Sequence, residues 1–99
     1  MDSIFSPLEL RSRLSPIFTQ HNVKRAVLFG SHANGTANGK SDIDLLVDSG
    51  LRGLRFVLLC EDIRTTLGRD VDLLDVTHIE KNSSIDREIS STGVVIHEG

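Results

Sequence analysis

Apolar residues recur along this chain with two different periods, and the switches between them mark its elements. Leu10, Leu14, Ile17 and Phe18 fall at the three- and four-residue spacing of one helix face. Ser6-Pro7-Leu8-Glu9 reads as the start of that helix: Ser6 caps, Pro7 suits the first helical position, and Glu9 completes a capping box. Pro16 lies inside the pattern, so a kink or division near Ser15 is expected. Val23 to Phe29 then reads as a strand, and its Ala26-Val27-Leu28-Phe29 run is too continuously apolar for an exposed edge. Gly30 ends it. Residues 31–40 contain Gly35, Gly39 and two asparagines, which allow at most a helical turn and a loop.

Asp42 to Asp48 forms the second predicted strand. Leu51 through Leu67 gives the clearest helix, with Leu51, Leu54 and Leu58 in one row, Leu59, Ile63 and Leu67 in the next, and Gly68 as its stop. Val71 to Val76 is a third strand carrying Asp72. Thr77 to Glu80, and Ser84 to about Ser91, read as short helical turns before a terminal strand at Val94 to His97. These elements predict an α/β (α+β) fold: one domain over residues 1–99, with helices packed on a small mixed sheet of three to four strands. The link from Gly30 to Asp42 is too short for a parallel crossover, so the first two strands should pair antiparallel. The link from Val47 to Val71 holds a full helix, as a parallel crossover requires. On that topology Gly30, Ser31, Asp42, Asp44 and Asp72 converge on one rim of the sheet.

Composition removes several classes of function. The 99 residues support a single core, and a net charge of −3 argues against an electrostatic nucleic-acid binder, so no direct nucleic-acid contact is expected. No apolar run approaches the roughly 20 residues of a membrane span. Met1-Asp2-Ser3-Ile4-Phe5-Ser6-Pro7 lacks the build of a signal peptide. Cys60 stands alone, which excludes an internal disulfide and fits a reducing, cytoplasmic location.

The candidate chemistry is acidic. Asp42 and Asp44 lie two apart in an extended segment and so share a face; unpaired carboxylates there would protonate unless a cation or hydrogen-bond donors held them. With Asp72 on the neighbouring strand they suit Mg²⁺, a hard cation that takes oxygen ligands. A pair of such ions about 3.5–4 Å apart would stabilise the attacking and leaving oxygens of a phosphoryl displacement. Gly30 lets a ligand approach the backbone, and the Ser31 hydroxyl and turn amides could donate to phosphate oxygens. Asp72 could instead act as a general base. Plainer readings compete: Asp42 and Asp44 could cap a loop or pair with Lys40 or Arg69, and Ser31 could simply stabilise a turn. Asp70 and Asp75 flank Asp72, with Asp75 on the opposite face of a regular strand. His21, His32, His78 and His97 show no metal-ligand spacing and read as solvated, with His32 near enough to the phosphate site to be a candidate contact. Cys60 reads as helix packing, and Arg52 with Arg55 as a solvated face. Gly35-Thr36-Ala37-Asn38-Gly39-Lys40-Ser41 has one residue too few for a P-loop and precedes a strand instead of a helix.

Leu28-Phe29-Gly30-Ser31, Asp42-Ile43-Asp44 and Val71-Asp72-Leu73-Leu74 together resemble the minimal nucleotidyltransferase family, the smallest of the DNA polymerase β-like nucleotidyltransferases. The closing Gly93-Val94-Val95-Ile96-His97-Glu98 is similar as well, so the likeness covers nearly the whole chain. The chain departs from the family at His32-Ala33-Asn34, where a basic or aromatic residue followed by arginine is more usual. The resemblance implies a palm-like fold. It implies a catalytic and metal-binding triad of Asp42, Asp44 and Asp72, and nucleotide binding at Gly30, Ser31 and His32. It further implies transfer of a nucleoside monophosphate, AMP from ATP, onto a hydroxyl of a partner protein. Stand-alone members of the family resemble antitoxins that silence a HEPN-domain ribonuclease toxin by AMPylating a tyrosine. Two alternatives stay open: a binding module that inhibits its partner by contact, and an oligomeric small-molecule (antibiotic) nucleotidyltransferase.

Overall fold

The computed structural model describes residues 5–37 and 42–99. The start of the N-terminal reading, from Met1 to Ile4, and the Asn38-to-Ser41 part of the rejected P-loop lie outside the described residues. Helix α1 (Pro7–Gln20) opens as its sequence dictates: Ser6 Oγ accepts from the Glu9 amide at 3.1 Å, and Glu9 Oε1 accepts from the Ser6 amide at 3.3 Å. Pro16 does not divide it. The helix runs through the proline because Leu10, Leu14, Ile17 and Phe18 on both sides are buried against the same core, and that packing outweighs one missing backbone bond.

Strand β1 (Arg25–Phe29) follows, then a single helical turn α2 (Ser31–Asn34), strand β2 (Ile43–Asp48), helix α3 (Leu54–Leu67) and strand β3 (Val71–Asp75). A 3₁₀ turn (Val76–His78), helix α4 (Ser84–Thr92) and strand β4 (Val94–Glu98) complete the chain. Helix α3 begins at Leu54, three residues later than its apolar pattern predicts, because Gly53 at its cap has φ +57° and departs from helical geometry. Leu51 still packs on the core from outside the helix. The Leu59, Ile63, Leu67 row is buried, whereas Leu54 and Leu58 are exposed.

The sheet order is β3-β2-β1-β4, with β1 antiparallel to both β2 and β4, and β2 parallel to β3. This is the expected pairing, and it places the apolar β1 in the interior of the sheet. Ile43, Leu45 and Val47 of β2 point into the main core with α1 and α3 residues. The alternate residues Asp44, Leu46 and Asp48 take the other face and are half-buried. Helix α4 packs against β1, close enough that a Cβ on Gly93 would press on the Val27 side chain.

Candidate active site

Parallel pairing sets Asp44 directly beside Asp72. Residues in register on neighbouring strands share a face, so the two carboxylates lie side by side, close enough for Asp72 to favour a proton on Asp44 both by its charge and as a hydrogen-bond acceptor. The Asp44 carboxyl is pushed up to about 6. Burial is the largest cause, followed by the charge of Asp72 and the hydrogen bond to it, then the charges of Asp42 and Glu88. Asp72 itself is exposed.

Strand β1 brings glycine to the same place from the other side. Phe29 pairs with Asp44 across the antiparallel ladder, and the chain turns at Gly30 with φ 72° and ψ −153°. That conformation is essentially restricted to glycine. A second constraint coincides with it, because a Cβ at Gly30 would overlap Asp44 Oδ2. Ser31 then opens α2, and its carbonyl accepts from the amides of Gly35, Thr36 and Ala37, which closes the turn on itself.

Asp42 lies one residue before β2 and is exposed, so it is not a strand residue as its alternation with Asp44 predicted. Its charge still reaches Asp44. Among the described residues no three His, Cys, Asp or Glu side chains are gathered into a metal-binding group. The structure therefore brings Asp44, Asp72 and Gly30 together and leaves Asp42 at their margin. Two mutually repelling carboxylates, one with a raised affinity for a proton, nonetheless form an oxygen-only donor set that a hard cation fits.

Three of the histidines, His21, His32 and His97, depart from the expectation of solvated rings, whereas His78 is exposed as expected. His32 is 5 % exposed, with Nδ1 3.2 Å from the Asp42 carbonyl and Nε2 buried without a partner. Burial lowers its pKa, the bond to Asp42 opposes this, and the charge of Arg69 adds to the lowering, so the ring is held neutral. His21 Nε2 meets Asp62 at 2.7 Å. His97 lies against Phe18 with ring centroids 5.2 Å apart, and its Nε2 is 3.1 Å from the Val23 carbonyl. His78, exposed, accepts from the Asp75 amide through Nδ1. His21 and His97 are held by segments remote in sequence, whereas the His78 bond lies within its own turn.

Asp75, on the face opposite Asp72, is structural. Its Oδ1 accepts from the Ser49 hydroxyl at 2.7 Å and the Ser49 amide at 3.1 Å, and its Oδ2 from the Thr77 amide and hydroxyl. Asp70 is exposed and accepts from Arg64, while its carbonyl receives the Ile43 amide. Cys60 is half-buried, and burial pushes its thiol up, which suits packing better than reactivity. Arg52 and Arg55 are exposed, as expected. Sequence reading did not find Glu88, whose influence on Asp44 arises only where α4 lies over the sheet. No local spacing encodes that.

Residues 12–99 match the family described as Polymerase beta, Nucleotidyltransferase. A Methanocaldococcus jannaschii protein provisionally named protein adenylyltransferase MJ0435 is 38% identical over 73 residues, covering 72% of this chain and 78% of that one. Among solved structures, a minimal nucleotidyltransferase superposes with a TM-score of 0.73 at 26% identity, covering 93% of this chain and 97% of that one. A complex of the tri-AMPylated Shewanella oneidensis HEPN toxin with its MNT antitoxin gives a TM-score of 0.68 at 18% identity, covering 91% of this chain and 71% of that one. This last likeness is one of fold.

Proposed function

The chain belongs to the polymerase β nucleotidyltransferase family, and from that premise we propose that it transfers AMP from ATP, with Mg²⁺, onto a hydroxyl of a partner protein. The observation that carries this reading is the register of Asp44 with Asp72, with the Asp44 carboxylate directly over Gly30. The name of the M. jannaschii relative supports a protein acceptor, and the AMPylated toxin of the S. oneidensis complex supports a HEPN-domain partner and an antitoxin role.

Asp44 and Asp72, with Asp42 at their margin, would hold the metal. When bound, Mg²⁺ would neutralise charge on the triphosphate and polarise the phosphoryl group. The Ser31 hydroxyl and the turn amides would donate to phosphate oxygens, with Gly30 leaving room for their approach. The acceptor oxygen attacks the α-phosphorus and forms the new P–O bond. Pyrophosphate leaves with the electrons of the broken one. The hydroxyl proton passes to Asp72, whose exposed carboxylate is open to a docked acceptor. A cytoplasmic setting would supply both ATP and the partner.

One observation favours a second reading. Asp42 lies outside β2 and is not part of the Asp44–Asp72 register, as a module that inhibits by contact could tolerate. The test is incubation of the protein with its candidate partner, Mg²⁺ and α-labelled ATP. Transfer predicts a labelled partner with the wild type and none with Asp42→Asn combined with Asp44→Asn. A wild type that inhibits the partner fully and never labels it would establish the contact reading instead.

A further inference from the structure

His32 carries an unusual arrangement: one ring nitrogen is engaged and the other is buried with no partner. The Asp42 carbonyl can only accept, so Nδ1 carries the proton and Nε2 is the unsatisfied acceptor. A phenylalanine or leucine would fill the same space without that cost, so the ring's distinguishing contribution lies at Nδ1. Among the described residues, what Nδ1 holds has little else to hold it. The β1–β2 pairing ends at Asp44 and the β2–β3 pairing at Ile43. Ile43 is steadied further by the Asp70 carbonyl, at 3.4 Å. Asp42 lies beyond both ladders, and among the described residues the His32 ring is the hydrogen-bonding group that anchors it.

We infer that His32 is a positioning residue: its Nδ1–H grips the main-chain carbonyl of Asp42 and so keeps that exposed carboxylate at the mouth of the Asp44–Asp72 pair. The inference rests on the proposed metal-dependent function for its purpose, though not for its geometry. It gives His32 a role different from direct contact with the nucleotide, since the ring is turned into the protein and its outer nitrogen is covered. It also accounts for how an extended pair two residues apart can act together when one member lies outside the sheet.

The experiment compares His32→Leu, His32→Asn and His32→Gln by amide hydrogen exchange and by Mn²⁺ binding to the protein alone. Asparagine places a side-chain N–H near the position of imidazole Nδ1, whereas glutamine places it one bond further out. In His32→Leu the amide of Ile43, which shares its peptide group with the Asp42 carbonyl and donates to the Asp70 carbonyl, should exchange about tenfold faster while Leu28 in mid-sheet is unchanged. Mn²⁺ affinity should fall by about tenfold, as for loss of a group that orients a ligand. His32→Asn should restore both and His32→Gln neither. Unchanged exchange in His32→Leu, or equal rescue by asparagine and glutamine, would overturn the inference. A wild type that binds no Mn²⁺ counts against the proposed function, and the exchange comparison still decides the role of His32. Should His32→Leu fail to fold, the contrast between asparagine and glutamine decides it.

Discussion

The carboxylate of Asp44 lies directly over the α-carbon of Gly30, so that the two residues exclude any side chain between them. This contact joins the end of β1 to the acidic pair and fixes what position 30 can be. Gly30→Ala must both strain the backbone and push the carboxylate aside. It should cost about 1–3 kcal/mol of stability for the conformation alone. Displacing Asp44 by an ångström should lower AMP transfer by about 100-fold. Chemical denaturation and the labelling assay measure the two separately, and a stable, fully active alanine variant would contradict the contact.

Asp44→Asn should separate stability from activity. The folded-state pKa of Asp44 is raised to about 6, so the ionised group opposes folding once the pH passes the unfolded value. In the metal-free wild type, stability should decline as pH rises from about 4 through 6 on this account. The asparagine variant should lack that decline and unfold at a temperature no lower than wild type at pH 7 in EDTA, yet fail to transfer AMP. Thermal scans across pH, with and without EDTA, check the sign.

Glu88 adds a like charge to the pair from α4. Glu88→Gln should lower the Asp44 pKa, by less than does Asp72→Asn, because Asp72 contributes both charge and a hydrogen bond. Carbon-detected NMR titration of the Asp44 carboxyl reads this directly. An unmoved titration would place Glu88 out of electrostatic reach.

At the other end of β3, Asp75 is tuned oppositely. Burial alone would raise its pKa, and the donors on Ser49 and Thr77 more than reverse that, so the net shift is downward. A lowered folded-state pKa contributes stability that is complete above the unfolded value near 4 and is lost as pH falls through the folded value. Asp75→Ala should therefore destabilise by about 3 kcal/mol at pH 7, because it leaves buried donors unpaired. The difference from wild type should shrink in acid, which denaturation at pH 7 and pH 3 would show.

The sequence went far toward the fold because local patterns agreed with one another. The Ser6–Glu9 capping box, the uninterrupted apolar run of β1 and the helix-length link before Asp72 each made one topology the simplest. The pairing of β1 with β2 and of β2 with β3 followed from link lengths alone. Pro16 misled, since a local rule against proline yields to a face of four buried residues spanning it. Gly53 delayed α3, a cap signal that the row of leucines obscured.

The amino-acid order by itself determined the class of fold and which carboxylates could come together, because periodicity, chain breaks and link length are local properties. Only the tertiary structure decided how they meet. It placed Asp44 rather than Asp42 against Asp72, laid that carboxylate over Gly30, brought Glu88 across from α4 and turned His32 inward onto the Asp42 carbonyl. These depend on register and on packing between segments far apart in the chain, where a displacement of one residue reverses the face a side chain occupies.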